Sequence, residues 1–104
     1  MLLVLTNCPD AATAETIGAA LVESRLAACV NILPVSRSIY RWQGAIERAS
    51  EVPLLIKTSA ERYAAVEAEI LARHPYELPE IIAVPVERGL PIYLEWVATE
   101  TRPD

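Results

Sequence analysis

The segment from Ala28 to Trp42 constrains the fold more than any other part of this chain. It carries Val30 and Ile32, then Ile39, Tyr40 and Trp42, and reads as β-structure along its length, with a break at Pro34. Fully extended it would span about 45 Å at ~3.3 Å per residue. A globule of roughly 100 residues is only about 35 Å across. Gln43-Gly44 supplies a turn, and Ala45 to Thr58 returns as a second arm with Ile46, Val52, Leu54 and Ile56 on one alternating face. This hairpin overruns its own domain. It must bend at Pro34 and Pro53 or rest its aromatic tip, Tyr40 and Trp42, on a neighbouring copy, and both are expected. Because Pro53 lacks an N–H, a bulge or an unpaired edge position is expected inside the second arm.

The remaining segments fit around that hairpin. Leu2 to Leu5 is a short apolar run ending near Cys8, which reads as a buried first strand. Asp10 is placed to cap a helix from about Ala11 to Leu26, with Ile17, Leu21, Val22 and Leu26 at helical spacing. Thr58-Ser59-Ala60-Glu61 matches a capping box, and Tyr63, Val66, Ile70 and Leu71 follow on one helical stripe. Pro75 forces that helix to stop near Arg73-His74, so His74 to Glu80 is a stiff loop. Ile81 to Val86 is a last strand, and Gly89 and Pro91 introduce a short helix through Tyr93, Leu94, Trp96 and Val97. The order β-α-β-β-α-β plus a terminal helix defines an α+β, ferredoxin-like subunit: an antiparallel sheet with two helices on one face and the other face left over.

At 104 residues one domain, residues 1–104, is expected. The chain is 53% hydrophobic and 22% charged, which excludes disorder and exceeds what one small subunit shelters, so self-association is expected. Its 9 Lys and Arg against 14 Asp and Glu leave a net charge of −5 and no basic footprint for nucleic acid. No apolar run approaches a membrane span, and no signal peptide is recognisable. Cys8 and Cys29 form no disulfide framework, which fits a reducing cytoplasm.

Read together, Arg25-Leu26-Ala27-Ala28-Cys29-Val30-Asn31-Ile32, Ser38-Ile39-Tyr40-Arg41-Trp42-Gln43-Gly44-Ala45-Ile46, Leu55-Ile56-Lys57-Thr58, His74-Pro75-Tyr76-Glu77-Leu78-Pro79-Glu80-Ile81 and Tyr93-Leu94-Glu95-Trp96 resemble the divalent-cation tolerance (CutA) family. The resemblance runs from Val4 to Trp96. It implies a ferredoxin-like subunit in a tight homotrimer whose hairpins pair between subunits, similar to PII-type signal-transduction trimers. It also implies binding of copper or another divalent cation. The ligand pattern attributed to some bacterial members, a strand-end Cys and a His pair before Pro-Tyr, falls here on Thr6, Arg73 and His74, so only His74 matches. Cys8, two residues beyond Thr6 on the same side of an extended strand, is the substitute.

The candidate metal ligands are therefore His74, Cys8 and Glu77. His74 offers an imidazole, with a loop or capping histidine as the plainer reading. Cys8 near a helix start is a candidate thiolate or, equally, a small buried filler; Cys29 reads as core. Glu77 and Glu80 flank Pro79 and present paired carboxylates to a cation or an amine, or are surface charge. Lys57, Trp42 and Tyr76, with Tyr40 and Glu80, are the set expected around an intersubunit cleft, where a small anionic ligand would meet a cation and stack on rings; aromatic packing is the alternative. Tyr93 and Trp96 read as packing groups. Phosphate loops, nucleophile elbows and HExxH patterns are missing, so a non-enzyme is expected. Two function classes follow: a divalent-metal, copper-binding protein linked to cation tolerance, or a PII-like signalling or scaffold module taking a small ligand or partner protein in the cleft.

Overall fold

In the computed structural model, which describes residues 1–103, the elements run β1 (Leu2–Cys8), α1 (Ala11–Glu23), β2 (Cys29–Ile32), β3 (Ser36–Trp42), β4 (Ala45–Thr58), α2 (Tyr63–Arg73), β5 (Ile81–Pro85) and α3 (Pro91–Glu100). The body of the sheet is antiparallel in the order β2-β4-β1-β5, and β3 pairs with the first half of β4. The expected long strand is thus divided at Pro34. The first piece stays in the body and the second forms an arm, so the molecule measures 44 × 26 × 22 Å.

The break also accommodates Pro53, though in the opposite strand to the one expected. β4 runs unbroken, with Asn7 opposite Pro53 on the β1 side. On the other side the ladder jumps from Ile32↔Leu54 to Ser36↔Glu51, so three residues of the first arm face two of β4. The Pro53 carbonyl accepts from Leu33 N–H at 2.9 Å. In an antiparallel ladder a residue's N–H and C=O address the same neighbour, so the donor that Pro53 lacks would have pointed into this interruption.

Alternation sorts the body into two faces. Val4, Thr6 and Cys8 of β1 and Val52, Leu54, Ile56 and Thr58 of β4 are buried beneath the helices. They meet Ile17 and Leu21 of α1 and Val66 and Ile70 of α2 in one core. Gly18 lets α1 approach closely: a Cβ there would lie 3.2 Å from Val30 Cγ1. The opposite face carries Leu3, Leu5 and Leu55, half-buried, with Ile82 and Val84 exposed beside them. This is the face that the element order left over.

Several helix details differ from expectation. α1 ends at Glu23 because Arg25 takes a left-handed φ of 62° and the N–H groups of Leu26 and Ala27 turn back to the Leu21 carbonyl. Val22 and Leu71 lie just off the buried stripes and are exposed. The capping box does not form: the Thr58 hydroxyl is buried and donates to the Leu26 carbonyl at 2.6 Å, and a 3-10 turn over Ala60–Arg62 starts α2 instead. α3 begins with Pro91 in its first turn and buries Val97. Tyr93 and Trp96 remain partly open, their rings 5.6 Å apart, so they pack chiefly on each other.

Candidate functional site

The loop expected to be stiff is fixed by His74. With Pro75 following, His74 is held extended at φ −80° and ψ 133°. Its Nε2 lies 2.6 Å from the Asn7 carbonyl, and its Nδ1 accepts the Tyr76 N–H at 3.2 Å. A carbonyl only accepts, so Nε2 carries the proton. Both ring nitrogens are therefore spent on backbone groups, and the buried imidazole clamps the end of α2 to the end of β1. The Tyr76 ring lies against it at 4.7 Å.

This clamp sets one wall of a cleft of about 610 Å³, whose other wall is the arm, from Glu51 at its root along to Trp42. Tyr76, Glu77 and Glu80 come from the loop, and Tyr40, Trp42 and Glu51 come from the arm. Five of the expected residues, Tyr40, Trp42, Tyr76, Glu77 and Glu80, thus line one cleft. Glu51 is 8% exposed and accepts a hydrogen bond from the Tyr76 hydroxyl at 3.1 Å. Burial, the bond to Glu51 and the charge of that carboxylate push the Tyr76 phenol up to about 12.

Three expected residues are used otherwise. Lys57 does not reach this cleft within the chain: along β4 it is about 20 Å from Glu51 at ~3.3 Å per residue. Its ammonium bonds Asn31 Oδ1 and lies 3.9 Å from Cys29 Sγ, on the open sheet face. Cys8 faces the core, fully buried. Burial, then the charges of Asp10 and Glu51, push its thiol up to about 11, so the helix start does not make it a thiolate. His74 has no lone pair free for a metal. Among the described residues no group of three or more His, Cys, Asp or Glu side chains is placed to hold an ion. The other two positions of the implied ligand pattern do not repair this: Thr6 is buried under the helices and Arg73 is paired with Glu69 at 2.6 Å. The donor set on this chain does not fit a copper ion.

The sequence reading missed Glu51, whose signal was faint: a carboxylate directly before the buried run that opens at Val52. It also missed that the cleft is acidic. Glu51, Glu77 and Glu80 line it against one basic residue, Arg41, which alternates onto the other face of the arm.

Fold and cleft define the class: an antiparallel α+β subunit of ferredoxin-like order carrying an overhanging β-arm, with a ligand-sized cleft beside the arm. Residues 2–100 match the model of the family described as CutA1 divalent ion tolerance protein. The divalent-cation tolerance protein CutA of Thermus thermophilus is 46% identical over 99 residues, 95% of this chain and 96% of that protein. Its solved structure superposes with a TM-score of 0.95 over 98% of this chain and 100% of that one. Protein CutA of Mus musculus is 50% identical over 91 residues, 88% of this chain, which spans about half (51%) of the mouse protein's length. A structure described as the PII-like protein CutA from Nostoc, in apo form, gives a TM-score of 0.91 at 36% identity over 98% of both chains. One described as the periplasmic divalent cation tolerance protein CutA from Archaeoglobus fulgidus gives 0.94 at 39% identity over 98% of this chain and 100% of that one. This chain belongs to the CutA1 divalent ion tolerance family. Among the described residues no helix is long and apolar enough to cross a membrane.

Proposed function

We propose that this chain acts as a homotrimeric, PII-like module, not an enzyme, that binds a small ligand in the cleft between the arm and the His74–Glu80 loop. The observation that carries the reading is the cleft itself: aromatic rings and buried polar groups converge on it, and its loop wall is pinned by both nitrogens of His74. Trimer assembly is supported by the open sheet face, with Leu3, Leu5, Leu55, Ile82 and Val84, and by an arm whose Ile39 and Ile46 are 67% and 52% exposed. A second copy closing over the arm would bury these side chains and wall the cleft. Cys8 and Cys29, both free, support a cytoplasmic location.

The link to divalent cations that the family name carries is then a ligand response of the assembly, and storage of copper on His74, Cys8 and Glu77 has less support. Calorimetric titration of Cu(II) into wild type and His74→Ala separates the two; equal affinities are expected, and a tenfold loss in the variant would restore the copper reading. The cleft reading is tested by thermal shifts with a metabolite library on wild type and Trp42→Ala, alongside sedimentation of dilute wild-type protein. A ligand that raises the Tm of wild type alone, on a species of three subunits, is the expected result. Stable single subunits, or silence across the library, would remove it.

A further inference from the structure

We propose that the cleft is a receptor for an organic cation, a primary ammonium or guanidinium on a short apolar stem, held by the Glu51 carboxylate and flanked by the rings of Tyr40 and Tyr76. This rests on the cleft being the ligand site and adds the chemistry of what it takes.

Glu51 is the reason. A carboxylate this deeply placed is stable when a positive partner or several donors compensate its lost hydration. Here its side chain has one hydrogen-bond partner, the neutral Tyr76 hydroxyl, and among the described residues no Lys, Arg or His forms an ion pair with it. Its charge is felt by its neighbours, since it contributes to holding both the Cys8 thiol and the Tyr76 phenol in their protonated forms. The carboxylate oxygen that Tyr76 leaves unbonded is not among the buried atoms without a partner, so it is open to solvent and available to a ligand in the cleft.

The surroundings specify the kind of cation. Ser36, opposite Glu51, shares its face of the arm with Tyr40 by alternation, and Tyr40 is close enough to influence Tyr76, so these two rings stand on the same side as the carboxylate, while Trp42 lies about 20 Å along the arm at ~3.3 Å per residue. Aromatic faces attract alkylammonium and guanidinium groups and accept the apolar stem as well. Glu77 and Glu80 line the same cleft and add negative potential. A bare metal ion is a poorer match, because no three donors converge and the rings offer it no ligand atoms. An anion would meet three carboxylates.

The test uses native oligomer at low ionic strength, titrated calorimetrically with 1,4-diaminobutane and butylguanidinium, and with pentanoate and 1-butanol as anionic and neutral counterparts. Both cations are expected to bind wild type, with affinity falling as NaCl is added. They should bind at least tenfold more weakly to Glu51→Gln and more weakly to Tyr40→Ala. Tyr76→Phe, which keeps the ring but removes the donor from Glu51, should bind them at least as well as wild type. Should Glu51→Gln fail to fold, the Tyr40→Ala and Tyr76→Phe pair carries the same contrast. Binding of pentanoate or butanol without the cations, or equal cation affinity in Glu51→Gln, would overturn the inference and leave the cleft reading intact. Silence from all four probes would also overturn it, and the cleft reading would then be decided by the library screen.

Discussion

One strand serves two regions that behave differently. From Val52 to Thr58, β4 is flanked by β1 on one side and, over Leu54 to Lys57, by β2 on the other, and its even-numbered side chains are sealed under the helices. From Ala45 to Ser50 the same strand has only β3 beside it, and Ile46, on the same alternating face as Leu54, stands in the open. Both halves form continuous strand, although Ala45 to Ser50 is richer in Ala and charged residues and Val52 to Thr58 in β-branched and aliphatic ones. Ile46 and Ile56 are the same residue type on the same alternating face, and what separates their burial is the second neighbouring strand. The body half is stabilised from within the chain, while the arm half has its apolar side chains waiting for something outside it.

The contrast breaks most directly by trimming each half. Leu54→Ala should destabilise by about 2–5 kcal/mol, because it empties a fully buried position that the helices cannot refill. Ile46→Ala should change subunit unfolding by about 0.5 kcal/mol or less. Urea unfolding of both variants, at a concentration well below that of the sedimentation test so that the trimer dissociates, measures the difference; equal losses would mean that the arm is core within a single chain. A second, alkaline test also belongs to the body. Burial raises the Cys8 thiol from 9.0 to about 11, so its contribution is complete below the unfolded value and disappears as pH rises through the folded one. The Tm of wild type should therefore fall between pH 9 and 11, and Cys8→Ala should flatten that decline. Iodoacetamide near neutral pH should leave Cys8 unlabelled in the folded protein.

In the arm, Gln43 and Gly44 take φ of 48° and 81°, the two-residue turn that suits a twisted hairpin. Gly44→Ala should cost about 1 kcal/mol, the strain of a side chain in that region. Hydrogen exchange should show the loss confined to β3 and the start of β4, and faster exchange in β1 would show that arm and body open together. The smallest effect is acidic and returns to the body. The Thr13 N–H bonds the Asp10 carboxylate at 2.8 Å and lowers its pKa. That stabilisation is present above the unfolded carboxylate value and is lost as pH falls through the lowered one. The difference in Tm between wild type and Asp10→Ala should therefore be larger at pH 7 than at pH 2.

Most of the fold was legible because its signals are local. Pro34 and Pro53 marked the interruption, Pro75 marked the end of α2, and alternation marked the buried face of β4. What escaped notice depended on contacts distant in sequence. Thr58 looked like a helix cap, but the Leu26 carbonyl claims its hydroxyl. His74 looked like a ligand, and only the position of Asn7 shows that its second nitrogen is taken. Lys57 is expected with Trp42 and Tyr76 around a cleft between subunits; within one chain the length of β4 puts Lys57 and Trp42 at opposite ends. Glu51 carried no motif; its importance comes from burial, which no single residue type announces.

The interruption at Leu33–Val35 has a mechanical side. Only β4 crosses from body to arm as continuous strand, so the arm is a cantilever whose fulcrum is Pro53. Asn7 sits opposite that fulcrum in β1 and holds His74 through its carbonyl. The arm and the loop wall of the cleft are therefore hinged on adjacent residues, Pro53 and Asn7.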